Sequence, residues 1–95
     1  MLTIFFHYCQ ACIMKQTVVD FRIKLGKRIA QLRIKSGLEQ AELAAILDGK
    51  DKQFINRYEK QGANPTAYIL VSIAKALNVS VDELLDFSQL ENSNK

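Results

Sequence analysis

From position 20 onward the apolar residues recur with the period of a helix. Phe21, Leu25, Ile29 and Leu32 stand at i, i+4, i+8 and i+11, one stripe of an amphipathic helix, while Lys24, Lys27, Arg28 and Lys35 fall largely off it. Asp20 reads as the N-cap of this first helix and Ser36-Gly37 as its stop. A short second helix runs from Gln40 to about Leu47, burying Leu43, Ala44 and Leu47, and Asp48-Gly49-Lys50 ends it, because Asp-Gly favours a turn. The third runs from an N-cap at Asp51 to about Lys60, with Ile55 and Tyr58 inward and Phe54 partly so. After the Gln61–Pro65 loop, Thr66 caps a fourth helix whose wide apolar face is Ile69, Leu70, Ile73, Ala74 and Leu77. Asn78 suits the left-handed position past its end. Ser80-Val81-Asp82-Glu83 is a capping box that opens a fifth helix with Leu84 and Leu85. No strand pattern competes after Val19, and the polar stretch from Ser88 to Lys95 is expected to fray. The pattern predicts an all-α domain of five short helices.

Composition changes this picture at the two ends. Ninety-five residues make one domain with tails. The stretch MLTIFFHYCQACIM is apolar and aromatic, unlike the rest of the chain. It lacks the basic start and clear cleavage site of a signal peptide, and is too short for a membrane span, which needs roughly 20 apolar residues. Met14, followed by Lys15, is an alternative start, so residues 1–13 read as either an upstream artefact or a loosely packed extension. The organisation expected is an apolar extension over residues 1–19, whose status composition leaves open, a helical domain over 20–87 and a polar tail over 88–95.

Candidate chemistry in the extension is thin. His7, Cys9 and Cys12 are soft metal ligands, and C-x-x-C is a spacing used by zinc and redox sites. With no second Cys pair and no other His, a closed zinc site lacks a fourth ligand unless Asp20 or a second chain supplies it. No βαβ pattern surrounds the pair, so neither metal nor cofactor is expected. The two cysteines form no disulfide framework, which makes a reducing cytoplasm the default location. With one histidine, no Ser-His-Asp set and no Gly-rich phosphate loop, the chain is not read as an enzyme.

Charge adds a partner. From Lys15 to Gly62 there are eleven Lys/Arg against six Asp/Glu, whereas from Ala63 onward two Lys face four acids. A basic front half fits an anionic polymer, bound by neutralising phosphates. Two short helices joined by a glycine-containing turn can present the second one outward, into a major groove about 12 Å wide. The outward residues of helix three are Lys52, Gln53, Asn56 and Arg57, of which Lys and Arg suit guanine O6/N7 and Gln and Asn suit adenine N6/N7.

The stretch from Leu25 to Leu85 carries, in order, G-L-x-Q-x-E-L-A, I-x-R-x-E, N-P-T and I-A-K-A-L-x-V-S-x-D-E-L. It resembles the Cro/repressor-type helix-turn-helix family, the xenobiotic-response-element class. The resemblance implies a five-helix, lambda-repressor-like fold with the helix-turn-helix at helices two and three. It also implies a sequence-specific regulator of transcription on double-stranded DNA, a repressor or autoregulator acting as a homodimer in the cytoplasm, at the nucleoid, with no membrane association. Lys52, Gln53, Asn56 and Arg57 are then the base-reading candidates, and Gln40, Lys50 and Lys60 the phosphate contacts. Gln40 matches a glutamine that touches the DNA backbone and steadies the recognition helix, and Arg33 and Glu59 match a buried ion pair between helix one and the end of helix three. Arg33 lies beside the apolar stripe and Glu59 follows Tyr58, so both can reach the core edge. A second reading is an antitoxin whose acidic part after Asp82 binds a toxin or another protein. Two positions depart from the family: the turn at Asp48-Gly49-Lys50 is one residue longer than the usual form, and Glu39 stands where a Ser, Thr or Asn is usual.

Overall fold

Lys15 to Val19 contain no glycine or proline, so nothing in the chain stops a helix there. In the computed structural model, which describes backbone elements over residues 2–93 and side chains over 18–90, the first helix α1 accordingly runs Leu2–Lys35. This corrects the start expected at Asp20. Asp20 is an interior residue whose carboxylate meets Lys24 Nζ at 3.1 Å, an i,i+4 pair with the acid on the N-terminal side. α1 ends as its glycine requires: Gly37 has φ 76°, and Leu38 N–H and Gly37 N–H donate to the carbonyls of Arg33 and Ile34.

The remaining elements are α2 (Gln40–Ile46), α3 (Lys52–Lys60), α4 (Ala67–Ala76), α5 (Val81–Leu84) and α6 (Ser88–Ser93), with no strand among the described residues. Caps set their beginnings. Asp51 accepts from Phe54 N–H at 3.2 Å, Thr66 from Ile69 N–H at 3.2 Å and Ser80 from Glu83 N–H at 3.0 Å. At α2, where Glu39 replaces the usual small polar cap, Glu42 reaches back to accept from the Glu39 N–H at 2.8 Å. Asn78, at φ 59°, takes the left-handed position after α4.

The core is the meeting of all these faces: Leu25, Ile29 and Leu32 of α1, Leu43 and Ala44 of α2, Ile55 of α3, Ile73 and Ala74 of α4, and Leu84 of α5. Arg28 belongs to it too, which corrects its placement off the stripe; it is 4% exposed. It stands three residues after Leu25 and four before Leu32, on the same helical face. Its burial is tolerated because the guanidinium is bonded: Nε and one Nη donate to the Glu83 carbonyl at 3.1 and 2.9 Å, the other Nη to Gln31 Oε1 at 2.6 Å. α1 is thereby tied to the end of α5. Phe21, at the head of the stripe, remains 38% exposed.

The expected fraying from Ser88 is also corrected, since α6 is a helix docked on α1. Phe87 meets Phe21 edge-on with centroids 5.5 Å apart, and Gln31 Nε2 donates to the Gln89 carbonyl at 3.3 Å. Asp86 starts the turn, accepting from Ser88 Oγ at 2.6 Å and Ser88 N–H at 3.3 Å. These bonds, the hydroxyl first, hold the Asp86 carboxyl below its ordinary pKa. Local propensity is weak here; contact with α1 supplies the missing stabilisation.

Candidate nucleic-acid interface

α3 has nine residues, short of the roughly 12–15 at which a helix is even marginal alone in water. Its pose is therefore set by what its inner side touches. Ile55 is fully buried, and Glu59 is 8% exposed. The Glu59 carboxylate is surrounded by donors: Arg33 Nε at 2.7 Å, an Arg33 Nη at 3.1 Å and Gln40 Nε2 at 3.0 Å. The remaining Nη of Arg33 donates to the Leu38 carbonyl at 2.8 Å, at the entry to α2. One arginine thus links α1, the loop before α2 and the end of α3. Among the described residues, no buried side-chain nitrogen or oxygen is left without a partner, the condition under which a buried ion pair is tolerated.

Gly26 makes the approach of α1 to α3 possible. A Cβ there would run into the Tyr58 carbonyl oxygen and come within 3.0 Å of the Glu59 carbonyl oxygen. Sequence pattern did not single this residue out. The available signal was a lone glycine inside a helical pattern, which marks either a weak spot or a close approach.

The α2–α3 turn closes over a wider span than the turn after α1. Asp48 and Gly49 are both left-handed, at φ 60° and 70°, and Lys50 N–H donates to the Ala44 carbonyl six positions back. The corresponding bond at the end of α1, Leu38 N–H to Arg33, spans five. Asp tolerates this conformation better than most residues with a side chain, and glycine adopts it freely.

On the outer side of α3, Lys52, Gln53 and Arg57 are exposed, as are Lys50 before it and Lys60 at its end. Asn56 is half-buried, and its Oδ1 accepts from Gln40 Nε2 at 3.4 Å. The structure thus brings Gln40, Asn56, Lys52 and Lys60 around one cleft that Arg33 also lines. Arg57 and Lys50 gather elsewhere, over the ring of Phe54, at 5.7 and 5.5 Å from its centroid. Phe54 is itself half-buried against Tyr58, with centroids 5.3 Å apart. Around α3 the exposed cations Lys50, Lys52, Arg57 and Lys60 outnumber the exposed carboxylates of Asp48, Asp51 and Glu39. Of these, Asp51 is engaged in capping and Glu39 lines the cleft beside Lys52 and Lys60. The surface offers donors and positive charge, suited to phosphates and to purine acceptors.

His7, Cys9 and Cys12 lie outside the residues with described side chains, and among those described no three potential metal ligands cluster. No helix among the described residues is long and apolar enough to cross a membrane.

Comparison with known proteins agrees with this geometry. A helix-turn-helix family model matches residues 29–84. An uncharacterised HTH-type transcriptional regulator of Sinorhizobium fredii is 37% identical over 67 residues, covering 70% of this chain and 86% of its own. The control protein C.SmaI of Serratia marcescens is 34% identical over 74 residues, 78% of this chain and 87% of its own. An uncharacterised HTH-type regulator of Rickettsia conorii is 37% identical over 71 residues, 75% of this chain but only 54% of that longer protein. No solved structure matches. With more than half of its length under that model and relatives matched over most of theirs, the chain belongs to the Cro/repressor-type helix-turn-helix family of DNA-binding transcriptional regulators.

Proposed function

We propose that the protein is a repressor or autoregulator that binds as a homodimer to a near-palindromic duplex site. Lys52, Gln53 and Arg57 read base edges in the major groove, Asn56 reads at the edge of the cleft, and Lys50 and Lys60 hold phosphates. Gln40, whose Nε2 hydrogens are taken by Glu59 and Asn56, offers a phosphate its backbone N–H at the start of α2. The observation that carries this reading is the asymmetry of α3: exposed donors on one side, and a side locked to α1 and α2 by Ile55 and Glu59 on the other. Gln40 contributes by bonding Glu59 and Asn56 at once, which ties the start of α2 to α3. The name of the Serratia marcescens relative, a control protein, supports a regulatory role.

The test is selection of bound sites from random duplex DNA, followed by titration against salt. Neutralising about 4 to 6 phosphates gives a log–log slope of roughly −4 to −5. A dimer gives two half-sites about 34 Å apart on one face of the duplex. A slope near zero removes nucleic acid from the account, and a single unpaired half-site removes the dimer.

A further inference from the structure

Phe54 has a place in the site that the base-reading and phosphate assignments leave unexplained. Its ring sits half-buried at the base of the recognition surface, edge-on to Tyr58. Two cations lie over it, Lys50 from the turn before α3 and Arg57 from α3 itself, at 5.5 and 5.7 Å from the centroid. Both are inside the ~6 Å at which a ring face attracts a cation. Among the described residues neither Lys50 nor Arg57 forms an ion pair, so the ring is the group that gathers them.

We infer that Phe54 is a positioning residue for DNA recognition: its ring pre-orients Arg57 for a base edge and holds Lys50 beside it for the adjoining phosphate. The inference rests on the reading of Arg57 proposed above. An arginine free in water spreads over many rotamers, and ordering it on binding opposes affinity. One held on a ring beforehand has less freedom to lose. Lying over the ring, the Arg57 guanidinium spends no N–H donor on another side chain, so its donors stay free. Free donors are what a bidentate contact to guanine requires. The effect therefore falls on discrimination between bases, since a phosphate accepts a cation from many directions and a guanine edge does not.

The experiment compares the full chain with Phe54→Leu, Phe54→Tyr, Arg57→Ala and the Phe54→Leu/Arg57→Ala double variant, using selected-site profiles and titrations on two duplexes. One duplex carries the preferred site; the other has the base assigned to Arg57 exchanged. Phe54→Leu keeps apolar bulk but no ring, and the affinity ratio between the duplexes falls roughly 2- to 5-fold, the size of an exposed cation–π contact. Phe54→Tyr keeps a ring face and restores the ratio. In the Arg57→Ala background Phe54→Leu changes the ratio no further. A full ratio in Phe54→Leu, or no recovery with Tyr, overturns the inference. An equal loss in the Arg57→Ala background overturns it as well and assigns Phe54 a direct contact with a base, such as a thymine methyl. Should Phe54→Leu fail to fold, ring-current shifts of the Arg57 side-chain protons in the wild-type protein decide: shifted resonances support the pairing and unshifted ones overturn it. A wild-type protein with no sequence preference at all overturns the DNA reading and this inference together, whereas a preference indifferent to Phe54 overturns this inference alone.

Discussion

The inner and outer sides of α3 satisfy their polar groups in opposite ways. Inside, the Glu59 carboxylate takes hydrogen bonds from Arg33 and Gln40, and α1 comes so close at Gly26 that a methyl group does not fit. Outside, Lys52, Gln53 and Arg57 are exposed and, among the described residues, hydrogen-bond no other side chain. The difference shows what a short helix with open donors needs. Its donors must stay open to a partner, so its orientation has to come from groups on the other side, and those are fully engaged. Exposed donors and buried anchors stand within a position or two of one another, as in Arg57, Tyr58 and Glu59.

Three measurements probe that division, and a fourth probes a contact outside it. The largest effect is expected from Gly26→Ala, which puts a Cβ against rigid backbone rather than a movable side chain. It should destabilise by about 4 kcal/mol, beyond the usual range of about 1–3 kcal/mol for overpacking because the atoms met are backbone. Affinity for all DNA sequences should fall together, with no change of preference. A wild-type midpoint in denaturant titration would show that α1 and α3 do not meet this closely.

Arg33→Ala leaves the Glu59 carboxylate buried with Gln40 as its remaining side-chain donor, and Glu59→Ala strands the Arg33 guanidinium. Each should lose about 2–4 kcal/mol, and the double variant less than the sum of the two. Additive losses in the double-mutant cycle would mean that the contact is not energetically coupled.

On the outer side the signature reverses. Arg57→Ala should leave stability within about 0.5 kcal/mol, as for a surface change, and cost about 1–3 kcal/mol in binding at the preferred site while relaxing one base position. Lys60→Ala should instead weaken all sequences about equally. Identical selected-site profiles for wild type and Arg57→Ala would move the reading surface to Lys52, Gln53 and Asn56.

The smallest effect lies far from α3. The Asp86 carboxyl, held low chiefly by the Ser88 hydroxyl, has a folded pKa below its unfolded one. Its contribution is present above the unfolded value and is lost as pH falls through the folded one. In an NMR titration the Asp86 carboxyl should titrate lower than an ordinary aspartate, and Ser88→Ala should bring it back toward that value. An Asp86 that titrates normally in both proteins would mean that the turn into α6 is not held by this bond.

Much of the fold was legible because its signals are local. The caps at Asp51, Thr66 and Ser80, the left-handed Asn78 and the glycine at the end of α1 act within a turn of themselves, and each occupies the place its chemistry predicts. Asp20 does not cap, for a related reason: an aspartate caps a helix only where the chain before it is not already helical, and nothing between Lys15 and Val19 interrupts one. The outward row of α3 could be named from spacing alone, whereas the separation of its members could not. Asn56 turns to Gln40 and Arg57 to Phe54, a division that depends on which neighbouring element stands beside each.

The helical period, the order of the elements, most of their ends and the net positive charge around α3 follow from the order of residues alone, since all of these arise from residues within a few positions of one another. Tertiary structure alone decided that Arg28 turns inward to a carbonyl 55 positions away. It also decided that Gly26 lies against Tyr58 and Glu59, and that Phe87 brings a polar tail back onto α1. A charged or polar residue enters a core, and a weak helix persists, only where a distant part of the chain supplies the bond or the surface that water would otherwise provide.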